Sequence, residues 1–214
     1  MGRDTKGDQE YRSYIIGFFD RYTSLYDPFL SLFRLRSVRR ETVEISGVRR
    51  KDKVLDVCTG TGDVALEFAR WCGVTGVDLS SGMLAVARKK DRDGRVCFLQ
   101  MDATRLGFAD KQFDVSVISF GLHDMPPEVR EETLREMARV TRQRIVIVDY
   151  NPPRNPILQA LYIAIVSLWE SKYFPEFAID FQRKILSCYA AASTPKVSQY
   201  LPIRALIDWG RLAK

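Results

Sequence analysis

The sequence predicts an α/β protein with a doubly wound, mostly parallel sheet, N-terminal helices and a helical C-terminal cover. Three observations predict this fold class. Short apolar segments alternate with helical patterns between residues 51 and 150, a glycine turn joins the first of these strands to a helix, and acidic residues lie at the ends of successive strands. Such alternation favours parallel strands that are joined by right-handed crossovers.

Each element of this series has its own pattern. Short apolar runs predict strands, whereas apolar residues on one helical face, such as Leu134, Met137 and Ala138, predict a helix. The predicted strands are 54–57, 74–77, 95–100, 113–119 and 144–148, and the predicted helices are 64–71, 83–90 and 128–140.

Two further regions flank this series. Residues 11 to 46 combine helical periodicity with many aromatic residues, which predicts two helices broken near Asp27-Pro28. The apolar stretch from Ile157 to Trp169 is shorter than the roughly 20 residues that span a bilayer. We favour a cover helix over the carboxyl edge of the sheet, and the alternative is a hydrophobic lid that meets a lipid-like substrate.

Length and composition indicate one globular domain. The chain has 214 residues, of which 46% are hydrophobic. We expect a single domain over 1–214, with an N-terminal helical segment (1–50), a cofactor-binding core (51–150) and a C-terminal cover or substrate region (151–214). The polar N-terminal sequence predicts a cytoplasmic protein. The four cysteines lack metal-ligand spacing, so we predict no metal site.

The basic residues of the chain bear on its partners. The net charge is +6, and a basic cluster runs from Arg34 to Lys53. A solvated helix face is the favoured interpretation. The alternative is peripheral contact with anionic lipid, where each basic residue contributes about 1 kcal/mol. We expect no nucleic-acid partner, because no recognised binding motif is present, and the sequence does not indicate an oligomeric state.

Residues 54 to 65, VLDVCTGTGDVA, form the most informative segment. They predict a strand, a Gly60-Thr61-Gly62 turn and the start of a helix. Glycine allows a ligand to approach the backbone closely, and a helix N-terminus offers free N–H groups. The segment therefore predicts a nucleotide-like cofactor site, although Gly60-x-Gly62-x-x-Ala65 also fits the dinucleotide fingerprint.

Acidic side chains at three strands help to decide whether the cofactor is a dinucleotide or a nucleoside that carries an amino acid. Asp56 lies inside the first strand, where it can receive the ammonium group or an ordered water of a nucleoside that carries an amino acid. Asp78 closes the second strand and can hold ribose hydroxyls of either cofactor. Asp102 follows the third strand and can accept a hydrogen bond from an adenine amine. Together with the polar loop after Ser119, these features favour the nucleoside over the dinucleotide.

At this point the sequence resembles a known superfamily. VLDVCTGTGDVA, GVDLSSGML, FLQMDATRLGF, FDVSVISFGL and LREMARV are similar to successive motifs of class I S-adenosylmethionine-dependent methyltransferases, which have a Rossmann-like fold. Within the superfamily they most resemble the menaquinone/ubiquinone C-methyltransferase family, and FFDRYTSLYDPF resembles the start of that family. The resemblance implies S-adenosylmethionine as the cofactor, S-adenosylhomocysteine as its product, and a small apolar acceptor such as a quinone precursor or a lipid-like molecule.

The resemblance also implies the cofactor-binding residues. The glycine turn would line the methionine part, Asp78 would bind both ribose hydroxyls, and Asp102 with Ala103 would hold adenine. For Met83 we favour ordinary helix core over contact with adenine. The implied set is Asp56, Gly60, Thr61, Gly62, Asp78, Met83, Asp102, Ala103, Ser119 and Tyr26.

His123 and Asp124 are the candidate catalytic residues. His123 is the only histidine and follows the fourth strand, where an imidazole with an ordinary pKa near 6.5 could remove a hydroxyl proton from the acceptor. A structural histidine is an equally good interpretation. Asp124 could orient or replace it, and the quinone family typically has Arg-Asn at these two positions. The alternative functions are an NAD-dependent oxidoreductase and a non-catalytic nucleotide-binding module.

Overall fold

The structure is a computed structural model, and it describes residues 6–32, 35–153, 155–180 and 203–204. The helices are α1 (Lys6–Leu32), α2 (Leu35–Ser46), α3 (Asp63–Phe68), α4 (Ser81–Lys90), α5 (Pro127–Val140), α6 (Pro156–Val166) and α7 (Phe174–Asp180). The strands are β1 (Lys53–Val57), β2 (Gly73–Asp78), β3 (Val96–Gln100), β4 (Phe113–Ser119), β5 (Thr141–Tyr150) and β6 (Ile203–Arg204). Much of the predicted C-terminal region lies outside the described residues.

The strands form one twisted α/β sheet in the order β3-β2-β1-β4-β5-β6. β1 to β5 are parallel, and the two residues of β6 pair antiparallel with the end of β5. β1 and β4 occupy the middle of the sheet and are covered on both faces, which explains their nearly continuous apolar sequences. The predicted doubly wound parallel sheet is therefore confirmed.

Successive residues of the strands face two separate apolar layers. Leu55 and Ile118 point to the layer that contains residues of α1 and α5. Val54 and Val115 point to the layer that contains residues of α3 and α4. This alternation follows from the two-residue period of a strand, and it places helices on both faces of the sheet.

The turn between β1 and α3 depends on left-handed backbone conformations. Cys58, Gly60 and Gly62 have φ values of 55°, 54° and 80°. A Cβ built on Gly62 would lie 2.8 Å from Cζ of Phe98 and 2.9 Å from Cβ of Ala87. Gly62 thus allows α3 to pack closely against β3 and α4, so one glycine serves both the turn and the core.

The predicted helix break at Asp27-Pro28 is wrong. α1 passes through both residues and ends at Leu32. A proline inside a helix removes one backbone hydrogen bond, and here the helix continues across that loss. The prediction of two N-terminal helices is confirmed, since α2 follows from Leu35.

α6 corresponds to the predicted apolar helix at Ile157–Trp169. The Asn155 side chain caps it by accepting hydrogen bonds from the backbone N–H groups of Ile157 and Leu158, at 3.0 and 3.2 Å. Val166 packs against Phe174 in α7, whereas the opposite face of α6 is exposed. Within the described parts of the chain, no helix has the length and apolarity needed to cross a membrane.

Candidate functional site

A cavity opens at the carboxyl ends of the central strands, and α1 forms part of its wall. Parallel α/β sheets bind ligands at this edge, next to the point where the strand order reverses. The order reverses between β1 and β4, whose carboxyl ends supply Cys58 and Ser119 to the lining. Of the predicted site residues, the lining includes Gly60, Thr61, Asp78, Met83, Asp102, Ala103, Ser119 and Asp124.

Asp78 is fixed by backbone groups on both carboxylate oxygens. Its Oδ2 accepts a hydrogen bond from the N–H of Gly60 at 2.8 Å, and its Oδ1 accepts from the N–H of Ser80 at 2.9 Å. Burial raises the pKa of this carboxyl group, although the backbone hydrogen bonds oppose the rise. The backbone of Leu79 also hydrogen-bonds to this carboxyl group. A carboxylate has about four acceptor positions, so Asp78 can still accept a hydrogen bond from a ligand.

Asp56 lies behind the glycine turn and does not line the cavity. The Thr59 hydroxyl donates to its Oδ2 at 2.6 Å, and the backbone of Ala65 donates to the same carboxyl group. Burial raises the pKa of Asp56 to about 7. The structure thus puts Asp56 under the turn, because its carboxylate is needed to satisfy hydrogen-bond donors of the turn itself.

Gly62 also lies outside the cavity lining, because its Cα faces Phe98 and Ala87 rather than the cavity. Thr61 lines the cavity, and its hydroxyl accepts a hydrogen bond from Nζ of Lys90 at 2.9 Å. A Cβ built on Gly60 would meet no atom within 4 Å, so the turn leaves open space there. Gly60 is therefore the glycine of the turn that leaves room for a ligand.

Asp102 joins the sheet to α1. Its Oδ2 accepts a hydrogen bond from Nε of Arg12 at 2.6 Å, and its Oδ1 accepts from the N–H and the hydroxyl of Thr104 at 2.8 and 2.7 Å. Ala103 and Met83 line the cavity nearby. Met83 is almost fully buried and also faces the cavity, so the helix-core and ligand-contact interpretations apply together. The side chain of Tyr26 lies outside the described residues.

His123 sits in a buried polar cluster and does not line the cavity. Its Nδ1 lies 2.7 Å from Oδ1 of Asp149, and its Nε2 lies 3.1 Å from Oε2 of Glu170 and 3.4 Å from Oδ2 of Asp124. Four aromatic rings surround the imidazole, those of Phe120, Tyr150, Phe174 and Phe177. The geometry fits the structural interpretation of His123 better than direct contact with an acceptor.

Electrostatics also argue against His123 as a proton acceptor. Burial lowers the pKa of the imidazole, but Asp124, Asp149 and Glu170 raise it more, so the pKa of His123 lies well above its ordinary value. A doubly protonated ring has no lone pair to accept a proton. In this state His123 supplies positive charge to its carboxylate neighbours.

Asp124 connects this cluster to the cavity, since it belongs to both. Burial raises the pKa of its carboxyl group to about 6, although the charge of His123 opposes the rise. The Ser171 side chain also forms a hydrogen bond with Asp124. Of the two predicted catalytic residues, Asp124 is the one that a molecule in the cavity can reach.

Sequence reasoning missed three residues of the site. Asp149 is the next-to-last residue of β5, so the pattern of strand-end acids that indicated Asp78 could have found it. Arg12 and Glu170 gave no comparable signal, because their partners lie 90 and 47 residues away in the chain.

Comparisons with known proteins agree with the fold and with the cavity. Residues 54–144 match the family model described as a methyltransferase domain. Residues 54–144 therefore form a methyltransferase domain, and the predicted cofactor, S-adenosylmethionine, is confirmed over the dinucleotide. The open space at Gly60 and the remaining acceptor capacity of Asp78 fit a nucleoside that carries an amino acid.

The relatives place the chain near the quinone family. The ubiquinone/menaquinone biosynthesis C-methyltransferase UbiE of Azotobacter vinelandii is 40% identical over 136 residues, which are 59% of this chain and 53% of that protein. UbiE of Bdellovibrio bacteriovorus is 40% identical over 131 residues, 58% of this chain and 55% of that protein. The chain thus spans about half the length of these curated relatives.

A solved structure supports the fold over a longer stretch. The crystal structure of a SAM dependent methyltransferase from Aquifex aeolicus matches with a TM-score of 0.58 and 17% identity, covering 79% of this chain and 88% of that chain. At this level of sequence identity, the match is evidence for the fold alone. It extends the likeness beyond the residues that the family model covers.

Proposed function

We propose that this protein transfers a methyl group from S-adenosylmethionine to a small apolar acceptor, a quinone precursor or a lipid-like molecule. One observation carries the proposal: a single cavity contains the predicted cofactor residues, among them Asp78 and Asp102, together with apolar side chains and a further acidic side chain, Asp124. The similarity to proteins named ubiquinone/menaquinone biosynthesis C-methyltransferase supports a hydroquinone as the first acceptor to test.

The residues of the chain act mainly by positioning the cofactor and the acceptor, and less by supplying reactive groups. The cofactor, when bound, supplies an electrophilic methyl group on a sulfonium. Asp78 holds the ribose hydroxyls, and the backbone at Gly60 leaves room for the methionine part. Orientation of two reactants in this manner lowers a barrier by about 7–11 kcal/mol.

The acceptor would lie against the apolar part of the cavity. Tyr11, Ile15 and Phe19 of α1 line one side, and Met125 and Val129 line another. These side chains exclude water from the reacting atoms and match an apolar ring. The aromatic residues of the N-terminal region thus gain a role as the acceptor wall.

Asp124 is the acidic group that would orient the acceptor. It lines the cavity close to the apolar side chains, and a carboxylate can accept a hydrogen bond or a proton from a phenolic hydroxyl. His123 acts through Asp124 as a positioning residue, since its Nε2 lies 3.4 Å from Oδ2 of Asp124.

The decisive experiment is a methyl-transfer assay with labelled S-adenosylmethionine and a hydroquinone that lacks the ring methyl group. We expect labelled methylated product from the wild-type protein. Asp124→Asn should lower kcat by about 100-fold or more while cofactor affinity stays unchanged. Glu131→Gln, at an exposed site on α5, is the matched control.

Two results would contradict the proposal in different ways. Transfer to a lipid or another acceptor but not to the hydroquinone would replace the acceptor within the same reaction class. Tight cofactor binding without turnover on hydroquinones, lipids or a cell extract would instead support a non-catalytic nucleotide-binding module.

We also propose peripheral membrane contact through α6, in a protein that is otherwise cytoplasmic. Ile157, Leu158 and Leu161 are 80%, 56% and 57% exposed, so α6 presents an apolar face outward. An apolar acceptor partitions into a bilayer, and this face gives the protein a means to approach it. Sedimentation with phosphatidylcholine–phosphatidylglycerol vesicles tests the contact. Leu158→Ser with Leu161→Ser should release the protein, whereas Gln159→Ser should not.

A further inference from the structure

Three side chains with metal-binding chemistry meet behind the wall of the cavity. His123, Asp124 and Glu170 each offer one ligand atom, and these atoms all lie within 4.8 Å of one another. Nε2 of His123 is 3.1 Å from Oε2 of Glu170 and 3.4 Å from Oδ2 of Asp124. The cluster meets the cavity at Asp124 alone, because neither His123 nor Glu170 lines the cavity.

The spacing of these atoms suits a metal ion. Nitrogen and oxygen ligands lie about 2.0–2.2 Å from a bound transition metal, so adjacent ligands at octahedral or tetrahedral angles are about 3.0–3.5 Å apart. The two distances at Nε2 fall in this interval. A divalent ion could therefore replace the proton that the imidazole shares with the two carboxylates.

A further residue forms a hydrogen bond with each of the three side chains. Asp149 binds Nδ1 of His123 and itself accepts hydrogen bonds from the N–H groups of Leu122, His123 and Tyr150. The Tyr150 hydroxyl donates to Oε1 of Glu170, and Ser171 bonds to Asp124. A carboxylate on the far nitrogen of the ring is the usual support of a metal-binding histidine, since it fixes the tautomer that presents the other nitrogen.

The charge of the cluster calls for a cation. Three carboxylates, those of Asp124, Asp149 and Glu170, face one imidazole, so even a protonated ring leaves net negative charge in a largely buried site. Oδ1 of Asp124 is buried and has no hydrogen-bond partner among the described residues. A buried carboxylate oxygen without a donor is costly, and a metal ion would satisfy it.

The basic side chains of Arg130 and Lys172 contact carbonyl groups and aromatic rings. Arg130 donates from Nε to the carbonyl of Leu122 and from a terminal nitrogen to the carbonyl of Met125, and it stacks over Phe177. Lys172 lies over the rings of Tyr14 and Tyr173.

We propose that His123, Asp124 and Glu170 form a binding site for a divalent transition-metal ion of the Mn²⁺, Fe²⁺ or Zn²⁺ type. One imidazole with two carboxylates suits this borderline class better than it suits Ca²⁺ or Mg²⁺. Binding displaces the proton on Nε2, so uptake of the ion releases protons. The ion would hold Asp124 in one orientation at the cavity wall.

The test measures metal binding directly, on the full chain and without cofactor or acceptor. Metal-free protein is titrated with Mn²⁺ and Zn²⁺ by calorimetry, and bound Mn²⁺ is observed by electron paramagnetic resonance. We expect one equivalent per chain, with a dissociation constant below 100 µM for at least one ion. The ion should also raise the melting temperature of the wild-type protein.

Glu170→Gln removes one ligand charge and should weaken metal binding at least tenfold. Glu176→Gln in α7 makes the same change outside the cluster and should leave binding unchanged. Circular dichroism of both metal-free variants reports whether they fold. Tenfold weaker binding in the first variant alone supports the site.

Three results would overturn the proposal: no saturable binding of either ion by the wild-type protein, no change of its melting temperature, or equal binding by Glu170→Gln and wild type. Two of these results are measured on the wild-type protein, so the proposal can be contradicted even if a variant misfolds. Cofactor binding is measured separately, so failure of the metal site leaves the proposed methyl transfer standing, and the reverse also holds.

Discussion

The two ends of the cavity wall are built in different ways. At the cofactor end, Asp78 and Asp102 lie at the ends of consecutive strands, and each carboxylate accepts a hydrogen bond from the backbone N–H two residues later in the chain. At the other end, His123 depends on Asp149 and Glu170, which lie 26 and 47 residues away. The first arrangement is local and can be recognised in a sequence. The second exists only when the fold is complete.

The largest effect should come from removing a support of the buried cluster. Asp149→Asn takes one charge from an ion pair whose side chains are almost fully buried, so we expect a loss of about 3–5 kcal/mol in the free energy of unfolding. Urea denaturation measures it. Asp93→Asn, at an exposed carboxylate, should change stability by less than about 0.5 kcal/mol. Similar losses in the two variants would show that the cluster contributes no stability.

The pH dependence of stability separates Asp56 from the exposed acids. The pKa of Asp56 is about 7 in the folded protein, whereas its ordinary value, which applies to the unfolded chain, is 3.8. Between these two pH values the folded state binds one proton more than the unfolded state. Stability from this group is complete below about pH 4 and is lost as pH rises through about 7, by at most about 4 kcal/mol. Urea midpoints between pH 4 and 8 measure it.

Asp56→Asn should reduce the slope of this profile, because the amide stays neutral throughout. The remaining slope comes from other buried acids such as Asp124, whose pKa is raised to about 6. Asp93→Asn should leave the profile as in the wild-type protein. A profile that Asp56→Asn does not alter would mean that the carboxyl group titrates normally under the turn.

The glycine turn offers a test with a matched pair of glycines. Gly62→Ala places a Cβ within 3 Å of Phe98 and Ala87 at a φ of 80°, so we expect a loss of about 2–4 kcal/mol. Gly73→Ala meets no atom within 4 Å and should change little. Thermal unfolding compares the two, and equal melting temperatures would show that close packing at Gly62 does not matter.

The smallest effect concerns the cofactor end. Asp78→Ala should weaken S-adenosylmethionine binding by about 1–3 kcal/mol, since it removes charged hydrogen bonds to the ribose. Calorimetric titration measures it, and Asp93→Ala is the control. Unchanged affinity would place the ribose elsewhere in the cavity.

The features of this molecule that depend on short stretches of sequence could be predicted. The alternating pattern identified β1 to β5 and the helices between them, and the strand-end positions of Asp78 and Asp102 placed both in the cavity. Side-chain direction was harder to predict. Asp56 and Gly62 belong to the predicted cofactor motif, yet neither faces the cavity. The Asp56 carboxylate bonds to Thr59 under the turn, and Gly62 faces the ring of Phe98.

The remaining features depend on long-range contacts. Local helix signals placed a break at Pro28, but α1 continues to Leu32. His123 was placed correctly on its loop, although its burial depends on Tyr150, Phe174 and Phe177, which come from elements later in the chain. No periodic pattern encodes such contacts, because they depend on how the elements pack together.

The ion pair between Arg12 and Asp102 has a consequence for how molecules enter. Both side chains are about one-quarter exposed, and pairs of this kind contribute about 0–1 kcal/mol. At Asp102, α1 is therefore joined to the cavity edge by a weak pair, while the sheet below is held by continuous strand pairing. Backbone amides of α1 should exchange with deuterium long before those of β1 and β4, and bound cofactor should slow that exchange.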